Sequence, residues 1–193
     1  MNRGLLDGRA RALLGALAAA GTAAFLYGAH AAPARTWGAL LISAAFVVGL
    51  SAGALALLAM LHAAGAGWHA VLRRVPEARG GALPRGAALI ALGVLGAGHI
   101  YHWSHAEALL HDAVLQAKAP WLNLPGFAAR SAAYLGLWYG GYAWLRRLSR
   151  AQDEGAGGDP LAAARAARGV AAAFLVVFGV TFSLASVDWL MSV

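Results

Sequence analysis

Five apolar stretches, bounded by or close to charged residues, divide this chain: 12–34, 36–70, 86–106, 131–145 and 169–187. A helix crosses the hydrocarbon core of a bilayer with about 20 apolar residues, and there it must satisfy its own backbone N–H and C=O groups. The stretch 131–145 is short, but Arg130 and Arg146 flank it with side chains that reach toward an interface, and residues 126–129 extend it. The chain is therefore read as an all-α, polytopic membrane helix bundle. It forms one domain over residues 1–193, with about five transmembrane helices near 12–31, 36–62, 86–105, 126–147 and 169–188.

Composition agrees. Hydrophobic residues make up 61% and charged residues only 12%, against about 25% charged in soluble domains, and the mean hydropathy is +0.63. With no cysteine in the chain, disulfides, iron–sulfur ligation and Cys-type zinc sites are excluded within it. A net charge of +7 would suit nucleic acid, but the arginines sit at helix ends, so the implied partner is the lipid bilayer and not nucleic acid.

Those arginines also set orientation. With the N-terminus inside, the inner segments hold Arg3, Arg9 and Arg11; Arg73, Arg74, Arg79 and Arg85; and Arg146, Arg147, Arg150, Arg165 and Arg168. The outer segments hold only Arg35, Lys118 and Arg130. That asymmetry places the N-terminus in the cytoplasm under the positive-inside rule. A rival reading takes the basic start, the apolar run and Ala29-His30-Ala31 as a cleaved signal peptide. The second helix would still enter from outside, and the remaining topology is unchanged.

Glycines four apart, Gly49 and Gly53 in the second run and Gly136 and Gly140 in the fourth, together with Gly93, Gly96 and Gly98, are expected at close helix contacts. Between the second and third runs, Trp68, Val71, Leu72 and Val75 share one face of an expected interfacial helix over 66–76. Trp68, Arg73, Arg74 and Glu77 are its candidates for headgroup or subunit contact. In the fourth run Tyr134 and Trp138 lie four apart and away from the ends, and helix packing is favoured over a quinone-like ligand.

The polar chemistry concentrates between residues 96 and 130, with His99, His102, His105, His111, Glu107, Asp112 and Lys118. Four readings compete. The His spacing matches no zinc pattern. Bis-His haem needs ligands on facing helices at equal depth; His30 with His99 or His102 would serve, but no haem-attachment motif accompanies them. A proton route along the membrane edge would use His99, His102, His105, His111, Asp112 and Lys118, with Asp188 on the same face. The fourth reading makes these residues ordinary solvated loop positions.

Several blocks then stand out in order: Gly65-Ala66-Gly67-Trp68 with 71–77, His102-Trp103-Ser104-His105, and His111-Asp112 leading to 118–125. Arg130, the Leu145-Arg146-Arg147-Leu148-Ser149 block, Gln152-Asp153 and Asp188-Trp189-Leu190-Met191-Ser192 follow. With these, the chain resembles the F subunit (ActF) of bacterial alternative complex III, a quinol:cytochrome c oxidoreductase, among the NrfD/polysulfide-reductase-like membrane proteins. The resemblance implies a subunit of the bacterial inner membrane without a redox cofactor of its own. Quinol, haem c and iron–sulfur clusters would belong to partner membrane and periplasmic subunits. It also favours the proton-route reading of His105, Asp112, Lys118 and Asp188.

Two departures accompany the resemblance. The family continues past the Asp-Trp-x-Met-Ser block with about as many helices again, so this chain is expected to be a fragment or one half of a split protein. Gly126-Phe127 also stands where the family carries a bulkier aromatic pair. The alternatives are a stand-alone small transporter or proton channel, and a haem b membrane cytochrome. Neither internal repeats nor a mid-membrane charge supports a transporter.

Overall fold

The computed structural model describes residues 7–65, 74–105, 107, 112–153 and 160–193. It is helical, without a strand among the described residues. The elements are α1 (Gly8–Ala31), α2 (Pro33–Ala64), α3 (Arg74–Gly80), α4 (Leu83–Leu95) and α5 (Ala97–Ile100). A 3-10 turn (His102–Ser104), α6 (Ala113–Lys118), α7 (Leu124–Asp153), α8 (Pro160–Ser186) and a closing π turn (Val187–Met191) follow. Among the described residues, three helices are long and apolar enough to cross a membrane: Gly8–Ala31, Pro33–Ala64 and Ala164–Met191.

Local chemistry explains the ends of these helices. The Asp7 carboxylate accepts from the Gly8 N–H at the start of α1, and Pro33 opens α2, where a missing N–H costs nothing. Gly65 closes α2 in the left-handed region, at φ 62°. A Cβ there would lie 2.0 Å from a guanidinium nitrogen of Arg168, so glycine allows both the backbone turn and the approach of a cation. Positive charge is favourable at the C-terminal end of a helix.

α2 is the axis of the bundle. Leu41, Ala44, Val48, Ala52, Leu55, Leu58 and Ala59 recur every three or four residues and are buried, forming one stripe that packs against α4 and α8. In lipid such packing is held by dispersion and close fit rather than by the hydrophobic effect. A second, aromatic core joins α7 to α8. Trp138 is fully buried, with ring centroids 5.4 Å from Phe178, 5.8 Å from Phe182 and 5.9 Å from Trp189. Its indole N–H donates to Thr181 Oγ1 at 2.9 Å. The sequence reading of Tyr134 and Trp138 as packing residues holds. α1, by contrast, has no buried residue and touches its neighbour through the Phe25–Trp37 edge contact at 5.2 Å.

The third apolar run departs from the single helix expected over 86–105. α4 stops at Leu95; one helical turn, an extended Tyr101 and a 3-10 turn complete the run. At Gly96 the Trp37 ring lies where a side chain would be, 2.1 Å from an added Cβ, and glycine weakens the helix there. The Ser104 hydroxyl then bonds the Tyr101 carbonyl at 2.6 Å, offering the backbone an alternative to a helical ladder. The glycine pairs also differ from expectation. A Cβ on Gly49, Gly53, Gly93, Gly98, Gly136 or Gly140 would meet nothing within 4 Å, whereas Gly86, Gly96 and Gly141 are pressed against Val48, Trp37 and Phe174.

Candidate functional site

The C-terminal end of α8 widens into the π turn, and this turn carries Asp188 inward, 1% exposed. Its carboxylate collects four donors from two other segments. Trp121 Nε1 donates to Oδ1 at 2.9 Å and Arg130 Nη2 to the same oxygen at 3.0 Å. Arg130 Nε and the Tyr134 hydroxyl donate to Oδ2 at 2.9 and 3.0 Å. A carboxylate offers about four lone-pair sites, so Asp188 is saturated.

The donors are held by local structure. Asn123 caps α7, its Oδ1 accepting from the Gly126 N–H at 2.8 Å while its amide donates to the Pro120 carbonyl at 2.9 Å. That turn presents Trp121 beside α7, and the Arg130 guanidinium stacks over the Trp121 ring at 4.1 Å. Tyr134 follows Arg130 by one helical turn and so shares its face. Around this pair, Trp189 Nε1 donates to Ser131 Oγ at 2.9 Å and the Tyr101 hydroxyl to the Trp189 carbonyl at 3.1 Å. The arrangement is a buried, bidentate ion pair binding the start of α7 to the end of α8.

The other sequence candidates are scattered. His99, His102, His105, Asp112 and Lys118 are all exposed, and His111 lies outside the described residues. His99 stacks against Trp37 at 6.3 Å. Asp112 caps α6, accepting from the Val114 and Leu115 N–H groups at 2.8 and 3.3 Å. Among the described residues no side-chain hydrogen bond joins these five to Asp188. Their segment meets the Asp188 cluster through Tyr101 and Trp103 instead: the Tyr101 hydroxyl bonds the Trp189 carbonyl, and the two rings lie 5.1 and 5.6 Å from the Phe127 ring.

A second polar cluster sits at the opposite end of α7. Trp68 and Arg73 lie outside the described residues, as does most of the helix expected over 66–76. The described helix, α3, continues past residue 76 to Gly80. Glu77, expected at a headgroup or subunit contact, is instead 4% exposed and turned into the bundle. The reason is a set of partners from α7: the Ser149 hydroxyl donates to Glu77 Oε1, and the Tyr142 hydroxyl to the Glu77 carbonyl at 3.0 Å. Arg74 closes an ion pair to Oε2 at 3.3 Å while its side chain stays 61% exposed.

Sequence reasoning had singled out Asp188 but not its donors Trp121, Arg130 and Tyr134 as a unit, nor Ser149 and Tyr142 beneath Glu77. One available sign was the i,i+4 pairing of Arg130 with Tyr134 on an otherwise apolar helix, opposite the acid at the end of the last run. Among the described residues no group of three His, Asp or Glu side chains is placed to hold a metal ion. A comparison with protein-family models finds no match to this chain, and a comparison with curated proteins finds none either.

Proposed function

We propose that this chain is an integral membrane subunit of a quinol:cytochrome c oxidoreductase of the alternative complex III type, in the bacterial inner membrane. On this reading the N-terminus is cytoplasmic and the chain crosses five times. α4 with α5 makes one crossing and α7 another, the latter through its uncharged stretch 131–145. The Asp188 end then faces outward. The subunit carries no redox cofactor of its own, and quinol, haem c and iron–sulfur clusters belong to its membrane and periplasmic partners. Its contribution is quinone-side architecture first, and proton conduction where a donor leaves Asp188.

One observation supports this reading most. Five of the sequence blocks on which the resemblance rests lie far apart in the chain, yet they are one another's bonding partners. The 118–125 block, Arg130 and the 188–192 block meet at Asp188. The 71–77 and 145–149 blocks meet where Ser149 bonds Glu77. Scattered chance matches have no reason to pair in this way, whereas a shared fold requires it.

The test is a mild-detergent pull-down of the tagged protein from its native membrane, with mass spectrometry and a visible spectrum. Co-purification with c-type haem and iron–sulfur subunits is the expected result. A protein that purifies alone overturns it: without pigment a transporter becomes the better account, and with a Soret band in the isolated chain, a haem b cytochrome.

A further inference from the structure

The last turns of α7 hold three arginines that belong to neither polar cluster. Arg146, Arg147 and Arg150, with Tyr139, Tyr142, Ala143 and Ala151, line an open cavity of about 410 Å³. These positions recur at the helical period, so they share one face of α7. One wall is fixed. The Tyr142 hydroxyl is held between the Glu77 carbonyl at 3.0 Å and Arg146 Nη1 at 3.1 Å, and the Arg146 guanidinium lies 5.8 Å from the Tyr142 ring centroid.

Arg146, Arg147 and Arg150 are exposed, and among the described residues none of the three has a carboxylate partner. Three guanidinium groups within about one turn repel one another, which disfavours the helix there unless an anion is present. Their depth rests on the proposed reading in which α7 crosses the membrane: they begin directly after the uncharged stretch 131–145, which puts them at the height where such a helix meets lipid headgroups. The planar guanidinium fork matches phosphate oxygens in pairs, and a tyrosine hydroxyl at the cavity wall adds a further polar group.

We infer that this face of α7 binds the phosphate headgroup of an anionic glycerophospholipid. Cavities of this kind, basic and bordered by aromatic rings at the end of an apolar span, attract anionic lipid over zwitterionic lipid by charge and retain it by the fork geometry. Free phosphate shares the headgroup chemistry but lacks acyl chains to lie along the apolar part of the helix.

The test is native mass spectrometry of the full chain in detergent, titrated with phosphatidylglycerol, with phosphatidylcholine, or with inorganic phosphate. The expected result is retention of phosphatidylglycerol at about tenfold lower concentration than phosphatidylcholine, with no displacement by millimolar inorganic phosphate. The combined Arg146→Gln, Arg147→Gln, Arg150→Gln variant abolishes that preference, while Arg165→Gln with Arg168→Gln, at the same end of the bundle, preserves it. A triple Arg→Lys variant keeps the charge that sets orientation and binds with intermediate preference. Equal retention of the two lipids by the unaltered protein, displacement by inorganic phosphate, or equal loss in the Arg165/Arg168 variant overturns the assignment.

Discussion

The two ends of α7 solve one problem differently. Each meets a buried carboxylate, Asp188 at 1% and Glu77 at 4% exposure, and each carboxylate has an arginine. At the Asp188 end that arginine is itself withdrawn from water, its side chain 19% exposed, and Trp121 and Tyr134 complete the set. At the Glu77 end the arginine stays 61% exposed, and a serine from α7 supplies the inner bond. A counter-ion in water is screened and replaceable; a counter-ion out of water is neither. Both clusters join elements distant in sequence; the difference makes the Asp188 cluster a clasp withdrawn from water, and the Glu77 cluster a seat for α3 whose counter-ion stays in it.

Breaking the clasp has the largest expected effect. Asp188→Ala leaves the Arg130 guanidinium without its partner, and such losses cost about 3–5 kcal/mol. Thermal unfolding in detergent should show a large drop in midpoint, and a drop no greater than that of a surface substitution removes the contrast. At the other end, Tyr142→Phe deletes the bond to the Glu77 carbonyl and the Arg146 contact, an expected loss of about 0.5–1.5 kcal/mol by the same measurement. The smallest effect belongs to Arg74→Gln, below about 1 kcal/mol because the guanidinium faces solvent while Ser149 still bonds the buried Glu77 carboxylate, and fading further as salt rises. An Arg74 effect as large as that of Asp188→Ala shows that the exposure of the counter-ion does not govern these pairs.

Much of the frame was legible because it depends on composition over a single stretch. The first two apolar runs and the last become the three helices able to cross a membrane, and the i,i+4 aromatics of the fourth run proved to be core. What escaped depends on distant partners. The interruption after Leu95 follows from Trp37, which occupies the space beside Gly96, and nothing within the run 86–106 announces that ring. The donors of Asp188 lie 54, 58 and 67 residues away, so no spacing rule collects them. The GxxxG pairs misled for the opposite reason: the spacing is present, but Gly49 and Gly53 face open space within the chain while Gly141, in no such pair, receives the Phe174 ring. The histidines between residues 96 and 130 drew the eye by residue type, yet His99, His102 and His105 are exposed. The polar chemistry gathered at Asp188 is carboxylate, guanidinium and tyrosine, and a buried histidine, His62, lies instead on α2, its Nδ1 2.8 Å from the Leu58 carbonyl oxygen.

The most direct test of the clasp is a double-mutant cycle on Arg130 and Asp188, using Arg130→Met, Asp188→Leu and the combined variant, read as unfolding free energy in detergent. A buried bidentate pair gives single losses of several kcal/mol and a double loss smaller than their sum, with a coupling of about 2 kcal/mol or more. Losses that simply add, with coupling below about 0.5 kcal/mol, would contradict a buried clasp between α7 and α8.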